Sequence, residues 1–304
     1  MRIVSLLPGA TETLCRLGLL DQIVGVSHEC DYPSEVQALP RVTRSKIPER
    51  LSSKQINDFV SLQSTTETSL YDLDRERINL LKPDLMVTQD LCGVCAVSET
   101  AIRETCEKTE RNVSICSLNA TSLRQFFHDI ERLGTATQVE AKAKQLSDEL
   151  QGELEQIRKA NRQTSHRPSV VLLEWLDPLF CAGHWTPELI EISGGIECIG
   201  RANQKSTTFT WERLLEVDPE VLILACCGFS IDRMKDELQS FPQQEKLRRL
   251  RAVKTGNFHL LDGSAYLNRP GPRLIEAAQI LASIIHPDLH PRILNSQSTI
   301  HLQL

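Results

Sequence analysis

The sequence predicts an α/β protein of two lobes, each with a parallel sheet, joined by one long α-helix. Three observations predict it. First, Val139, Ala143, Leu146, Leu150, Leu154 and Ile157 recur at intervals of three and four, which is one stripe of a helix. With its flanks this helix reaches about 26 residues, roughly 39 Å at 1.5 Å per residue, long enough to run along two domains. Second, one unit occurs twice. Glu76-Arg-Ile-Asn-Leu-Leu-Lys-Pro-Asp84 precedes the apolar run Leu85-Met86-Val87, and Glu212-Arg-Leu-Leu-Glu-Val-Asp-Pro-Glu220 precedes Val221-Leu-Ile-Leu224. In each copy a Glu-Arg pair opens a short amphipathic helix, a proline ends it, and a buried-type strand follows. Third, strands alternate with helices on both sides of the long helix, the pattern of parallel sheets with covered faces. The stripe alone also fits a surface helix of a single domain; the duplicated unit decides for two lobes on one rod. The expected divisions are an N-terminal lobe 1–135, a bridging helix 136–165, a C-terminal lobe 166–290 and a loose tail 291–304.

In chain order, Arg2 to Leu6 is a strand, Pro8-Gly9 a turn and Ala10 to Leu17 a helix ended by Gly18. Ile23 to Val26 is a second strand. A polar stretch follows, with a helix over Lys54 to Leu62. The first repeat helix covers Asp74 to Leu81 and its strand Asp84 to Thr88. Ser98 caps a helix to about Lys108, Val113 to Cys116 is a strand, and Ser122 to Leu133 a helix. The rod has Thr137 as its candidate cap and Gly152 as its weak point, at about 1 kcal/mol relative to Ala. The second lobe opens with the strand Ser169 to Glu174. A helix over Pro187 to Ser193 ends at Gly194-Gly195. The second repeat follows at Trp211 to Leu224, then helices at Ile231 to Gln239 and Gln244 to Leu250. The strand Asn257 to Leu261 and a helix over Pro272 to Ile285, with proline in its first turn, complete the lobe.

Composition narrows the function. The 304 residues carry a net charge of -6, which argues against a nucleic-acid partner. No apolar run approaches the roughly 18 residues that span a bilayer, so the chain is not membrane-embedded. The first residues, Met1-Arg-Ile-Val-Ser-Leu-Leu-Pro-Gly9, read as a strand rather than a secretory signal core. As written, the expected location is the cytoplasm; a start lying upstream would instead make it periplasmic. The ten cysteines are then mostly small buried residues, with Cys116 in a core strand.

In parallel sheets, ligands bind at loops beyond the carboxyl ends of strands. Here these loops are 27–33, 89–97, 175–185, 226–229 and 262–271. They gather His28, Tyr32, Trp175, Phe180, His184, Trp185, Phe229 and Tyr266. Aromatics are only 5% of the chain, so their grouping at strand ends predicts an aromatic-walled cleft for a large, partly apolar ligand. His28 or His184 could complete the coordination of a chelated metal, or serve only as surface donors. Cys92-Gly-Val-Cys95 has the spacing of half a metal site, and Cys226-Cys227 is the one candidate for the other half. Nucleophile-elbow, phosphate-loop and zinc-protease motifs are absent, and Gly194-Gly195 ends a helix rather than opening a dinucleotide site. The chain is expected to be no enzyme and to require no cofactor.

These residues resemble a known family. Ser5-Leu-Leu-Pro-Gly-Ala-Thr-Glu12, Val24 to Ser27 with Asp31-Tyr-Pro33, Glu76 to Asp84, and Pro272-Arg-Leu-Ile with Ala277-Ala-Gln279 are similar to substrate-binding proteins of metal-chelate ABC importers, in particular cobalamin binders. The likeness covers about residues 2 to 285. It implies two Rossmann-like lobes tied by a single helix, with cobalamin or another corrinoid held between them. It implies docking of Glu76 and Glu212 on arginines of an ABC permease, where the bare alternative is that each acid only starts a helix. It also implies ligand contact by Tyr32. The family's stacking tryptophans do not align, and Trp175, Phe180 and Trp185 are candidates to replace them. The competing function is a cytosolic metal or redox protein that reuses the scaffold through Cys92, Cys95, Cys226 and Cys227.

Overall fold

The computed structural model describes residues 1–65, 70–89, 99–107, 112–162, 164–291 and 299–301. The N-lobe sheet joins β1 (Ile3–Ser5), β2 (Ile23–Val26), β5 (Leu85–Thr88) and β6 (Ser114–Ser117) in the order β2-β1-β5-β6, all parallel. β3 (Thr43–Ser45) and β4 (Tyr71–Leu73) form a separate antiparallel pair. In the C-lobe, β7 (Ser169–Trp175), β10 (Val221–Leu224) and β11 (Phe258–Leu261) are parallel neighbours. β8 (Phe180–Cys181) and β9 (Ile196–Glu197) flank β7, and β12 (Thr299–His301) closes the far edge. Central strands such as Leu85–Thr88 and Val221–Leu224 are buried throughout, which is why they read as unbroken apolar runs rather than alternating ones.

The duplicated unit is reproduced down to its caps. Helix Arg75–Leu81 starts at Asp74, whose side chain accepts from the Arg77 N–H; helix Trp211–Val217 starts at Thr210, which accepts from the Arg213 N–H. Each ends on a left-handed residue, Lys82 and Asp218, followed by a buried proline and the strand. Ile78 and Leu214 are the fully buried anchors.

The bridging helix runs from Glu140–Asn161, 22 residues. Ala143, Leu146, Leu150, Leu154 and Ile157 are all buried, as the stripe requires. The helix packs on Leu123–Thr137 of the N-lobe and on Thr186–Ile192 and Leu274–Ile285 of the C-lobe. One core therefore continues from Ile3 and Leu14, through the bridging helix, to Leu189 and Ile280.

Three expectations are corrected. Thr137 does not cap the bridging helix: it is the last residue of the preceding helix, and its hydroxyl donates to the Leu133 carbonyl at 2.6 Å. Gln138 then turns the chain at a φ of 59°, and Gly134 makes the sharp corner possible, since a Cβ there would lie 2.3 Å from that of Ala143. The tail is not wholly loose, because Thr299–His301 pairs antiparallel with β11. Phe180 lies in a short strand rather than a loop, since β8 folds back on β7.

Candidate binding site between the lobes

Residues from both lobes meet at the carboxyl ends of the strands. Beyond β1, the buried Glu12 faces Arg273, the residue that caps the last helix. Arg273 Nη2 donates to Glu12 Oε1 at 2.6 Å and its Nε to Oε2 at 3.0 Å, a bidentate pair. Burial pushes the Glu12 carboxyl up; the two hydrogen bonds and charge of Arg273 pull it down. The backbones touch beside this pair: a Cβ on Gly9 would lie 2.3 Å from the Pro270 carbonyl oxygen. Arg273 also lies over Tyr32, its guanidinium carbon 4.2 Å from the ring centroid, and 5.8 Å from that of Tyr266. Tyr32 remains 47% exposed. Next to them Arg269 pairs with Asp31 at 2.5 Å and with Glu29 at 3.5 Å. Tyr32 and Tyr266, far apart in the chain, are thus united around one arginine.

Trp175 and Phe180 form a second group. They are partners in the β7–β8 pairing, and the Trp175 ring lies 5.0 Å from that of Phe229. The Trp175 indole donates to the Ser53 carbonyl of the other lobe at 3.1 Å.

The remaining predicted residues stand apart. His28 Nδ1 is 2.6 Å from Thr43 Oγ1, the ring lies tilted with its centroid 5.3 Å from that of Tyr71, and Nε2 is enclosed 3.5 Å from Glu29 Oε1. Burial, with a smaller contribution from Arg41, lowers its pKa against an upward pull from Glu29. Trp185 is buried and its indole donates to the Leu267 carbonyl at 2.8 Å, beneath the loop that carries Tyr266. Its ring supports the site from below instead of lining it. His184 is half-buried, its ring 5.5 Å from that of Trp185, and its backbone is hydrogen-bonded to Asn203 and Gln204. Glu76 and Glu212 are exposed, each at the second position of its helix.

Cys92 and Cys95 lie outside the described residues. Cys226 is buried, and desolvation pushes its thiol well up, which disfavours the thiolate a metal requires. No group of three or more His, Cys, Asp or Glu side chains that could hold a metal occurs among the described residues.

Sequence reading missed Glu12, Asp31, Arg269 and Arg273, which organise the first group. One signal was present: Arg269-Pro-Gly-Pro-Arg273 puts two cations in a rigid loop at a strand end. It also missed Ser53, Arg233 and Glu237, for which no local signal exists.

Two lobes, each built on a sheet with a parallel centre, are tied by one helix and face each other across strand ends, the architecture of a two-lobed binding protein. The chain belongs to the periplasmic binding protein family, whose sequence profile matches residues 3–265. It is 25% identical over 293 residues to an ABC transporter substrate-binding lipoprotein of Bacillus subtilis, covering 94% of this chain and 80% of that one. It is 22% identical over 287 residues to a vitamin B12-binding protein of Vibrio cholerae, covering 91% and 86%. Its fold is that of a periplasmic heme-binding protein from Pseudomonas aeruginosa, with a TM-score of 0.76 at 17% identity over 100% of this chain and 99% of that one. No helix among the described residues is long and apolar enough to cross a membrane.

Proposed function

We propose that this chain captures a metal chelate and hands it to an ABC permease, with a corrinoid such as cobalamin as the preferred ligand over heme or an iron chelate. The observation that carries this reading is the interlobe group in which Tyr32 and Tyr266 surround Arg273. A large planar ligand needs stacking faces and a few fixed polar anchors, and Tyr32 offers a half-exposed ring already oriented by a cation. The vitamin B12-binding relatives support the corrinoid; the heme-binding neighbour supports only the wider class of chelates. The chelate is cargo, and no resident cofactor belongs to this reading. Glu76 and Glu212, exposed at equivalent points of the two lobes, are the proposed permease contacts, each meeting an arginine in a charge-assisted pair. The family's description and the lipoprotein relative support action outside the cytoplasmic membrane.

Titration calorimetry with hydroxocobalamin and with hemin tests the reading. Binding of hydroxocobalamin is expected, weakened about fivefold in Tyr32→Ala, since a stacked aromatic contributes on the order of 1 kcal/mol beyond its buried area. Preference for hemin would replace the corrinoid with heme. Binding of neither by the wild-type protein would reject the chelate reading.

A further inference from the structure

One side chain outside the binding group ties two loops of the C-lobe together. Glu174 stands near the end of β7, and donors from both loops meet its carboxylate. The Gly183 N–H donates to Oε1 at 2.9 Å, the Ser206 hydroxyl donates to Oε2, and the Thr186 hydroxyl bonds to it as well. A carboxylate holds such donors more strongly than a neutral acceptor does. The backbone pins the same turn: the His184 N–H donates to the Gln204 carbonyl at 2.6 Å, and the Asn203 N–H to the His184 carbonyl at 2.8 Å. Space there is tight, since a Cβ on Gly183 would lie 2.4 Å from the Ser206 nitrogen. His184 is left-handed, at a φ of 53°. A residue with a side chain holds that conformation only where its surroundings impose it.

The turn carries Trp185. Its ring is buried, and its indole donates to the Leu267 carbonyl at 2.8 Å. Leu267 directly follows Tyr266, the last residue of the short helix Gly263–Tyr266. The Leu267 and Asn268 N–H groups both turn back to the Gly263 carbonyl, at 2.9 Å and 2.8 Å, so this loop is a closed unit that a single outside contact can place. Asn268 Nδ2 reaches the Ala225 carbonyl only at 3.5 Å; the indole bond is the shorter one. Tyr266 lies beside Arg273, which Tyr32 faces from the other lobe. A line of contacts thus runs from Glu174 through the turn, the indole and Leu267 to the Tyr266 ring.

We propose that Glu174 is a positioning residue for the ligand: by fixing the turn 183–186 it sets the Trp185 indole and, through Leu267, the place of Tyr266 in the binding group. Tyr266 is then the C-lobe counterpart of Tyr32, held from below where Tyr32 is held by Arg273. A ring fixed before the ligand arrives loses less freedom on binding, which strengthens affinity. This rests on the chelate-binding reading above.

Titration calorimetry, with whichever of hydroxocobalamin and hemin the wild type binds, tests the proposal on Glu174→Ala, Glu174→Gln, Trp185→Phe and Tyr266→Ala, together with hydrogen exchange read by mass spectrometry. Glu174→Ala, and Trp185→Phe, which keeps a ring without the donor, are each expected to weaken binding about fivefold, the size of one lost hydrogen bond. Glu174→Gln keeps an acceptor for the Gly183 N–H and a partner for the Ser206 hydroxyl, and is expected to bind within about twofold of wild type. In the Tyr266→Ala background neither Glu174→Ala nor Trp185→Phe is expected to weaken binding further, because both act through that ring. Amides 263–268 are expected to exchange about fivefold faster in Glu174→Ala, with helix Trp211–Val217 unchanged. Unchanged affinity in Glu174→Ala, Trp185→Phe or Tyr266→Ala overturns the proposal, because a contact that only stabilises the fold leaves the affinity of the folded protein alone. Additive losses in the double variants overturn it, since the residues would then act elsewhere than on Tyr266. Equal losses in Glu174→Gln and Glu174→Ala also overturn it, because the ligand would then require the charge itself. Should Glu174→Ala not fold, Ser206→Ala takes its place, and affinity unchanged there overturns the proposal. If wild type binds neither chelate, the chelate reading falls and the exchange of amides 263–268 decides: faster exchange keeps Glu174 as the residue that places Tyr266, and unchanged exchange overturns it.

Discussion

The helices Arg75–Leu81 and Trp211–Val217 are the same local structure in two lobes, with the same cap, the same left-handed exit and the same buried anchor. Their surroundings are not the same. In the N-lobe the turn after the acid exposes Leu80 at 80%; the C-lobe has exposed Glu216 at the matching point, paired with Arg213. Ahead of its helix the N-lobe sends residues 51–65 across to the C-lobe, whereas the C-lobe returns nothing of the kind among the described residues. A second contrast lies at the sheet edges. β2, beside β1, is wholly apolar, while β9, beside β7, carries Glu197. Local sequence thus builds equal units, and what each unit does depends on what covers it.

The largest expected effect tests whether the lobes are one folding unit. Arg273→Ala leaves Glu12 buried and unpaired, and should cost about 3–5 kcal/mol in urea denaturation. Arg269→Ala, whose partners Asp31 and Glu29 are exposed, should cost under about 1 kcal/mol. Equal losses would mean that the buried pair is not a special junction.

Ile78→Ala and Leu214→Ala test the equivalence of the anchors. Both residues are fully buried, and each substitution should cost about 2–5 kcal/mol. A single cooperative transition in both variants is expected, because one core crosses both lobes. Two separate transitions would show that the lobes melt independently.

The edge contrast predicts a pH effect from one lobe. Glu197 Oε1 accepts from the backbone of Ile199 and Gly200, but Oε2 is enclosed without a partner. Desolvation raises its pKa from 4.5 to about 7. A folded value above the unfolded one means that its contribution is full below pH 4.5 and is lost as pH rises through 7. Glu197→Gln should therefore flatten the fall in stability between pH 5 and 8 by on the order of 1–3 kcal/mol. Melting curves across that range check it; an unchanged slope would mean another group carries the effect.

Smaller still, Gly152→Ala on the bridging helix should stabilise by about 1 kcal/mol, since its added Cβ meets nothing within 4 Å. The smallest effect is expected at the exposed acids. Glu76→Arg with Glu212→Arg should change folding stability by less than about 0.5 kcal/mol and leave chelate affinity intact, while abolishing association with a permease. Loss of chelate affinity would mean that these residues touch the ligand or hold the fold instead of meeting a permease.

The two lobes, the rod and the duplicated unit were legible in the sequence because periodicity and proline placement are local. Val139 to Ile157 shows its stripe, and Pro83 and Pro219 mark where each helix must stop, whatever the rest of the chain does. The site was legible only as a set of loops. Tyr32 and Tyr266 could be assigned to strand ends, but their union around Arg273 could not, since two charges at positions 12 and 273 show no periodicity. Trp185 illustrates the limit: its place beyond β7 marked it as a cleft residue, and only the packing under Leu267 buries it. The helix Ser53–Thr65 was expected over Lys54 to Leu62, with no sign of its contact with the other lobe, for the same reason. A capping box predicts where that helix begins, but the partner of its first free N–H is Glu237, in the other lobe. Hydrogen bonds within one turn are encoded by neighbouring residues; those between lobes exist only after the long helix and the shared core have set the distance.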